Sequence, residues 1–243
     1  MKEYKKEIYK NYISVHNEAL YGTVDLAKIR SSYYLLDHFY SWALPLGNEA
    51  AILDIGCGEG GFVFYLQERG FMNASGIDVS KEQISKGRKL GIPKLFEGDL
   101  LEFLKKNKNT YDLITARDVL EHFTKEEVYD ICSTVLDALR PGGKFLFQSP
   151  NGEGILVGKI FYGDFTHDIL FSVDSSHQLL KSCGYDEIAC KPVLFPISSL
   201  SSFVRFLGWK WVELNHKLKR KIVFGTSKGI FTPNLLVLAT KQQ

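Results

Sequence analysis

Short apolar runs alternate with longer segments of helical periodicity through most of the chain. The runs predict strands, and the segments between the first five runs have the spacing and capping residues of helices. The seven predicted strands cover residues 51–55, 74–78, 94–97, 111–116, 144–149, 185–195 and 232–240. Regular alternation of strand and helix is typical of a parallel sheet with helices on both faces. We therefore expect an α/β fold with a mostly parallel, doubly wound, seven-stranded sheet.

The segments outside this alternation divide the predicted single domain into parts. The parts are an N-terminal helical cap (1–47), a core with five strands (50–150) and a second half (151–243) that contains a helical insertion at 196–221 before the last strand. The cap ends at the turn Pro45-Leu46-Gly47-Asn48, because proline and glycine stop a helix. Such a leader either covers a ligand pocket or packs plainly on the sheet, and the sequence leaves both open.

The first predicted strand runs into a glycine-rich turn, Asp54-Ile55-Gly56-Cys57-Gly58-Glu59-Gly60-Gly61. Strand, tight turn and helix in this order open a ligand crevice in a parallel sheet, and glycine lets the backbone approach the ligand closely. The glycines fit the dinucleotide fingerprint G-x-G-x-x-G. With Asp54 in front they also fit D-x-G-x-G-x-G. A dinucleotide brings an anionic pyrophosphate, whereas a carboxylate at the strand end favours a cationic ligand.

Two further acids follow the next two strands: Asp78 after the second and Asp99 after the third. A carboxylate at the first of these places can accept both hydroxyls of a ribose. Together with Asp54, the glycines and Leu139-Arg140-Pro141-Gly142-Gly143, they give residues 50–150 a pattern that resembles class I S-adenosylmethionine (SAM) methyltransferases. The resemblance implies a Rossmann-like fold, SAM as the cofactor, and Asp99 at the adenine amine. The cofactor-binding residues that it implies are Asp54, Gly56, Cys57, Gly58, Gly60, Asp78, Val79, Asp99, Leu100 and Arg117.

A cluster of ionisable residues follows the fourth predicted strand, at the expected mouth of the crevice. Asp118, Glu121 and His122 share a face if this segment forms a helical turn, and His167 could join them from the loop after the fifth strand. Two carboxylates and two imidazoles are a plausible donor set for a divalent metal such as Mg²⁺. Without a metal, either histidine could act as a general base toward an acceptor hydroxyl. In a third interpretation these residues only shape the pocket.

The same four candidate catalytic residues resemble the E-x-x-E-H motif with a later histidine. That pattern occurs in ubiquinone-biosynthesis O-methyltransferases and in enzymes that methylate the terminal 2′-hydroxyl of small RNAs. The resemblance implies a metal that binds the acceptor hydroxyl, lowers its pKa and places it against the methyl group. Asp118 stands where the first glutamate of the motif would be.

The insertion has one apolar stripe at helical spacing, formed by Ile197, Leu200, Val204, Leu207, Trp211, Leu214 and Leu218. Basic residues accompany the stripe and are densest at 217–221. One interpretation is a lid or a helix on a membrane surface near a lipid-linked or anionic acceptor. The sequence favours the other, a helix packed on its own domain or on a second subunit. Gly208 argues against one continuous rigid helix.

The second half of the chain resembles bacterial methyltransferases found with polysaccharide and O-antigen biosynthesis. The residues that carry this resemblance are Pro150-Asn151, Gly163-Asp164-Phe165-Thr166-His167, Phe171-Ser172, Leu179-Leu180, Gly184-Tyr185, the basic insertion and Thr232-Pro233-Asn234-Leu235-Leu236. It implies a SAM-dependent O-methyltransferase acting on a hydroxyl of a sugar or glycan intermediate. An acceptor among quinone precursors or other small molecules is the alternative. In a different class, an NAD-dependent oxidoreductase fits the glycines but is disfavoured by Asp54 and Asp99.

The composition bears on two questions, whether nucleic acid is a partner and in which compartment the protein works. The 243 residues carry a formal net charge of +2, so nothing in the bulk charge points to nucleic acid as a partner. The four cysteines have no metal-clip or C-x-x-C spacing, which is typical of reduced thiols in a cytoplasmic protein. The first residues lead into no apolar signal segment, and no stretch approaches the length of a transmembrane helix.

Overall fold

The computed structural model describes Lys5, Ile8 and residues 25–243. The strands are β1 (Ile52–Ile55), β2 (Ala74–Asp78), β3 (Leu95–Glu97), β4 (Tyr111–Arg117), β5 (Leu139–Pro150), β6 (Tyr185–Pro192) and β7 (Asn234–Lys241). From residue 25 onward the α-helices are α1 (Leu26–Ser31), α2 (Tyr33–Tyr40), α3 (Gly61–Glu68), α4 (Lys81–Lys89), α5 (Leu100–Lys106), α6 (Lys125–Ala138), α7 (Val157–Phe161), α8 (Val173–Cys183) and α9 (Leu200–Phe224). Short 3-10 turns cover Ser41–Ala43 and Leu120–His122. Lys5 and Ile8 are helical, and the rest of the predicted cap before residue 25 lies outside the described residues.

The seven strands form one sheet in the order β3-β2-β1-β4-β5-β7-β6. The pairings from β3 to β5 are parallel, and β7 runs antiparallel to both β5 and β6. The predicted fold class is therefore confirmed. The order reverses between β1 and β4, and this switch point is where a doubly wound sheet binds its ligand.

Two apolar cores cover the two faces of the sheet. One face packs against α6 and α8 with buried residues such as Ile131 and Leu180. The other packs against α2, α3 and α4, where Tyr40 contacts Phe62 with ring centroids 5.0 Å apart. The second half of the predicted cap therefore lies on the sheet, next to the helix that follows the glycine turn.

The structure moves two predicted strand boundaries and removes the interruption expected at Gly208. Strand β5 was predicted from residue 144 but already begins at Leu139, which pairs with Tyr111 before a register shift. Strand β6 stops at Pro192 rather than near 195. Helix α9 runs unbroken through Gly208, because a single glycine costs only about 1 kcal/mol and a capping box at Ser199 fixes the start. None of the helices within the described residues combines the length and apolarity needed to cross a membrane.

A matched pair of glycines tests how tightly the turn after β1 is packed. Gly60 and Gly91 have nearly equal positive φ angles, +82° and +81°, so alanine costs about 1–2 kcal/mol of backbone strain at either position. A Cβ on Gly60 would lie 2.7 Å from a methyl carbon of Leu95, whereas one on Gly91 meets nothing within 4 Å. We expect Gly60→Ala to lower the free energy of unfolding by about 1–3 kcal/mol more than Gly91→Ala, measured by urea denaturation. Equal losses would show that the loop next to Leu95 relaxes freely.

Candidate functional site

The glycine turn and the end of β2 form one hydrogen-bonded unit. The carboxylate of Asp78 accepts from the N–H of Gly58 at 2.9 Å and from the N–H of Ser80 at 2.8 Å. Gly58 has φ +58°, and a Cβ there would lie 2.6 Å from Oε1 of Gln83. The backbone therefore holds the Asp78 carboxylate at the carboxyl end of β2. Burial raises its pKa, and the two N–H donors oppose that effect.

Beside this unit lies a cavity of about 370 Å³. Six of the ten predicted cofactor-binding residues line it: Gly56, Gly58, Asp78, Val79, Asp99 and Leu100. The rest of the lining includes residues that the sequence did not single out, Val119, Phe123, Glu127 and Ile131. Apolar side chains together with a strand-end carboxylate suit a nucleoside, whose base is flat and whose ribose is polar.

The other four predicted cofactor-binding residues lie off the cavity wall. Asp54 is buried at the end of β1 and accepts a hydrogen bond of 2.6 Å from the hydroxyl of Thr115. Cys57 is buried against Gly76, where a Cβ would lie 2.7 Å from its Sγ. Gly60 packs on β3, and Arg117 stacks on aromatic rings of the helical layer. These four residues therefore stabilise the glycine turn without lining the cavity.

A chain of side chains joins Arg117 to the segment after β4. The Nε of Arg117 donates to the hydroxyl of Tyr40 at 3.2 Å, and that hydroxyl donates to Oε1 of Gln148 at 2.8 Å. The amide of Gln148 then donates to both oxygens of the Asp118 carboxylate, at 2.8 and 3.0 Å. Neither Tyr40 on α2 nor Gln148 on β5 belongs to a local motif that would have marked it. This chain turns Asp118 toward β5.

The buried carboxyl of Asp54 predicts a pH dependence of stability. Burial raises its pKa from 3.8 to about 6, although Arg117 and the Thr115 hydroxyl oppose the shift. A folded-state pKa above the unfolded value stabilises the fold fully at low pH, and that contribution is lost as the pH rises through about 6. Between about pH 4 and pH 6, we expect the free energy of unfolding of the wild type to fall by about 3 kcal/mol relative to that of Asp54→Asn. Urea denaturation at a series of pH values measures this difference. Parallel curves for the two proteins would contradict it.

Three of the four predicted acceptor-side residues meet after β4. Glu121, His122 and His167 offer ligand atoms that all lie within 4.8 Å of one another, and the two imidazole rings are 4.8 Å apart between centroids. Asp118 stands outside this group, so the structure brings together three of the four predicted ligands. The left-handed backbone of Asp118, with φ +55°, lets the chain turn from β4 into the 3-10 turn that carries Glu121 and His122.

Two residues outside the predicted site, Asp164 and Thr166, orient His122. The hydroxyl of Thr166 donates to Asp164 at 2.6 Å, so its oxygen can accept from Nδ1 of His122, which lies 2.7 Å away. This contact fixes the orientation of the imidazole ring, which also hydrogen-bonds to the backbone of Asp118. Both residues belong to the segment just before His167. Their signal in the sequence is Asp-x-Thr, a pattern typical of a side chain that caps a turn.

Burial sets the charge of the cluster. It lowers the pKa of His122 to about 4, with the neighbouring His167 adding to the shift, and it lowers the pKa of His167 as well. Glu121 is only 1 % exposed and has a raised pKa, because burial and then Asp118 both disfavour its charge. Nδ1 of His167 is a buried polar atom without a hydrogen-bond partner. A buried orphan nitrogen beside a second imidazole and a carboxyl is the donor set of a divalent metal site, so these three residues fit such an ion.

Lys5 packs beside the cluster of Glu121, His122 and His167. Its side chain is only 2 % exposed, donates to the carbonyl oxygen of His122 and forms an ion pair of 2.8 Å with Asp168. The N–H of Asp168 in turn donates to the carbonyl of Glu121 at 2.7 Å. One residue of the predicted cap therefore contacts the acceptor side of the crevice.

Comparison with known proteins assigns the fold to a family. A family model described as a methyltransferase domain matches residues 28–214. The chain is 27% identical over 198 residues to phosphoethanolamine N-methyltransferase 3 of Arabidopsis thaliana, which covers 76% of this chain and 37% of that relative. It is 25% identical over 138 residues to the ubiquinone biosynthesis O-methyltransferase of Aliivibrio fischeri, covering 54% and 51%.

The chain thus spans about half, or less, of the length of these two relatives. Among solved structures, a SAM-dependent methyltransferase from Archaeoglobus fulgidus superposes with a TM-score of 0.67 at 18% identity, covering 95% of this chain and 100% of the other. The two relatives transfer methyl groups to different atoms, nitrogen and oxygen, so the family leaves the acceptor open. The chain belongs to the methyltransferase domain family and has the fold of a SAM-dependent methyltransferase.

Proposed function

We propose that the protein is a SAM-dependent O-methyltransferase that acts on a hydroxyl of a sugar or glycan intermediate. In this proposal SAM occupies the cavity beside the glycine turn, with its ribose on Asp78 and its adenine near Asp99 and Leu100. The methyl group then faces the segment after β4. The family membership and the lining of the cavity support the cofactor.

The observation that carries the O-methyl assignment is the cluster of Glu121, His122 and His167 next to that cavity. An alcohol is a poor nucleophile until its proton is removed, whereas a neutral amine already has a lone pair to offer. The cluster brings a carboxyl and two uncharged imidazoles to the acceptor side, and Thr166 orients the ring of His122 through Nδ1. These groups could orient a hydroxyl and draw its proton away as it attacks the methyl carbon.

The same three residues would hold a divalent ion, which when bound would lower the pKa of the acceptor hydroxyl. Two imidazoles and one carboxylate suit Mn²⁺ or Zn²⁺ better than Mg²⁺, which prefers oxygen ligands. The cation would also offset the burial that raises the pKa of Glu121. Without a cation, the lowered pKa of about 4 makes His122 a weak base, and the raised pKa of Glu121 makes its carboxylate the stronger base only when it is ionised.

The sugar class rests on the second half of the chain, whose pattern resembles methyltransferases of bacterial polysaccharide biosynthesis. Two other acceptors have a specific observation behind them. A quinone precursor is suggested by the similarity to the ubiquinone biosynthesis O-methyltransferase, and phosphoethanolamine by the similarity to the Arabidopsis N-methyltransferase.

A panel of acceptors separates these possibilities. The purified chain is incubated with methyl-labelled SAM and nucleotide sugars, glycans, catechols or phosphoethanolamine, each with EDTA, Mn²⁺ or Mg²⁺. We expect transfer to a sugar hydroxyl that EDTA abolishes and Mn²⁺ restores. Transfer only to a catechol or to phosphoethanolamine would replace the sugar assignment. Sugar methylation that is indifferent to EDTA would keep the acceptor and remove the metal.

A further inference from the structure

The outward face of α9 is the largest feature that the proposed function leaves unused. Its apolar stripe lies in solvent, with exposed fractions of 80 % for Leu200, 68 % for Trp211, 66 % for Leu214 and 59 % for Leu218. No residue of this 25-residue helix is buried. Of the two packings expected for the stripe, on its own domain or on a second subunit, the first was therefore wrong, and the second is left open by a single chain. Soluble monomers rarely leave a continuous apolar patch of this size exposed.

The opposite face of α9 is the one that contacts the domain. His216 packs on Phe231 with ring centroids 4.6 Å apart, and Arg220 forms an ion pair of 2.5 Å with Glu153. At 100° per residue these two positions point about 160–200° away from Leu200 and Leu218. The helix is thus anchored by the face opposite the stripe, and the stripe faces outward.

The net charge of α9 indicates which kind of partner could cover the apolar stripe. Helix α9 has six Lys and Arg residues and one Glu, a net charge of +5, whereas the whole chain carries +2, so the remaining residues sum to −3. Lys210, Lys217 and Lys221 lie in a row along one flank of the stripe, and Lys219 lies beyond its other edge. A second copy of the chain would set two +5 helices face to face. An anionic surface with an apolar interior matches both the stripe and its flanks.

We infer that α9 docks in the plane of an anionic lipid bilayer, with its stripe in the acyl boundary and its lysines at the head groups. An apolar stripe with aromatic content, flanked by lysines, is the pattern of interfacial helices. Nucleic acid suits this face poorly, because basic side chains bind phosphates, and the lysines of α9 lie only at the flanks of an apolar stripe.

The docking would bring the crevice close to the bilayer. Helix α9 connects the end of β6 to the start of β7, and its partner Glu153 follows the end of β5 at Pro150. These points lie at the carboxyl edge of the sheet, the edge where the glycine turn opens the cavity. An acceptor carried on a lipid would therefore reach the site without leaving the surface.

Co-sedimentation with vesicles tests the inference on the full chain. We expect binding to vesicles of phosphatidylcholine with about one-third phosphatidylglycerol to be at least about tenfold tighter than to pure phosphatidylcholine, and to weaken with salt. The double variant Trp211→Gln/Leu214→Gln should lose at least about tenfold in affinity for the anionic vesicles. The control Met72→Gln/Tyr129→Gln changes two exposed residues elsewhere and should bind as wild type does.

Three results would overturn the inference. The first is unchanged vesicle binding by the stripe variant, and the second is equal binding to neutral and anionic vesicles. The third is a dimer in lipid-free sedimentation velocity that the stripe variant abolishes, which would assign the face to a second copy. Both variants are expected to fold, because α9 buries none of its side chains and both Met72 and Tyr129 are exposed. Their circular dichroism melts serve as the check.

Discussion

Replacing Asp78 by alanine is expected to weaken SAM binding by at least about 100-fold. The carboxylate would accept both ribose hydroxyls, and each hydrogen bond to a charged group is worth about 1.5–3 kcal/mol. Two backbone N–H groups already aim it, from Gly58 and Ser80, so no reorganisation is needed before the ligand binds. Isothermal titration calorimetry with SAM and S-adenosylhomocysteine measures the change.

A control separates the loss of a ligand contact from damage to the loop. Glu97 ends the neighbouring strand β3 and is exposed, but it does not line the cavity, so Glu97→Ala should bind SAM as wild type does. Asp78→Asn keeps the shape of the side chain and should retain the melting temperature better than alanine. If Asp78→Ala folds and binds SAM with undiminished affinity, the ribose assignment is wrong. Binding of NAD in place of SAM would return the dinucleotide interpretation of the glycines.

The sheet could be predicted almost completely, because its signals are local. Strand β2 is an apolar run that ends in an acid, and the prediction matches the observed bounds, Ala74–Asp78. The glycine-rich turn could also be recognised from the sequence, but the separate role of each of its residues could not. Gly58 lines the cavity, whereas Gly60 makes room for Leu95 and Cys57 packs on Gly76. Which side of a turn a residue faces depends on strands that lie far away in the sequence.

The acceptor side was predictable only in part for the same reason. Glu121, His122 and His167 could be grouped from the sequence. The first two lie in one turn after β4, and His167 lies in the loop that follows the neighbouring strand β5. The departure of Asp118 from the group could not, because Gln148 on β5 holds it through a hydrogen-bond chain that begins at Arg117. Lys5 carries no motif at all, and its place beside His122 depends on how the cap meets the sheet.

The exposure of α9 shows the limit of periodicity as a guide to burial. The stripe from Leu200 to Leu218 predicted a helix correctly, yet periodicity only says that one face is apolar, not that the domain covers it. The face opposite the stripe instead makes the contacts, among them Arg220 with Glu153 and His216 with Phe231. Basic residues beside an apolar stripe are the sequence signal on which the proposed docking of α9 to a membrane surface rests.

The acceptor-side cluster gives the second large effect that we expect. His122→Gln and Glu121→Gln should each lower the rate of methyl transfer to the acceptor found in the panel by about 100-fold or more. Both should leave SAM affinity close to wild type, because neither residue belongs to the proposed ribose and adenine contacts. His177→Gln on α8 is the matched control and should leave the rate unchanged, since that histidine does not line the cavity. Single-turnover kinetics at saturating SAM measures the rate.

Metal binding by the full chain provides a readout that needs no acceptor. Calorimetric titration with Mn²⁺ should show one site in wild type that His167→Gln and Glu121→Gln remove. Asp118→Asn should keep that site, because the Asp118 carboxylate is held by Gln148 outside the group of three. Loss of the site in Asp118→Asn alone would restore the four-ligand arrangement expected from the sequence. A wild-type chain that binds no Mn²⁺ or Zn²⁺, yet loses transfer when His122 is replaced, would assign the cluster to proton removal by its own side chains.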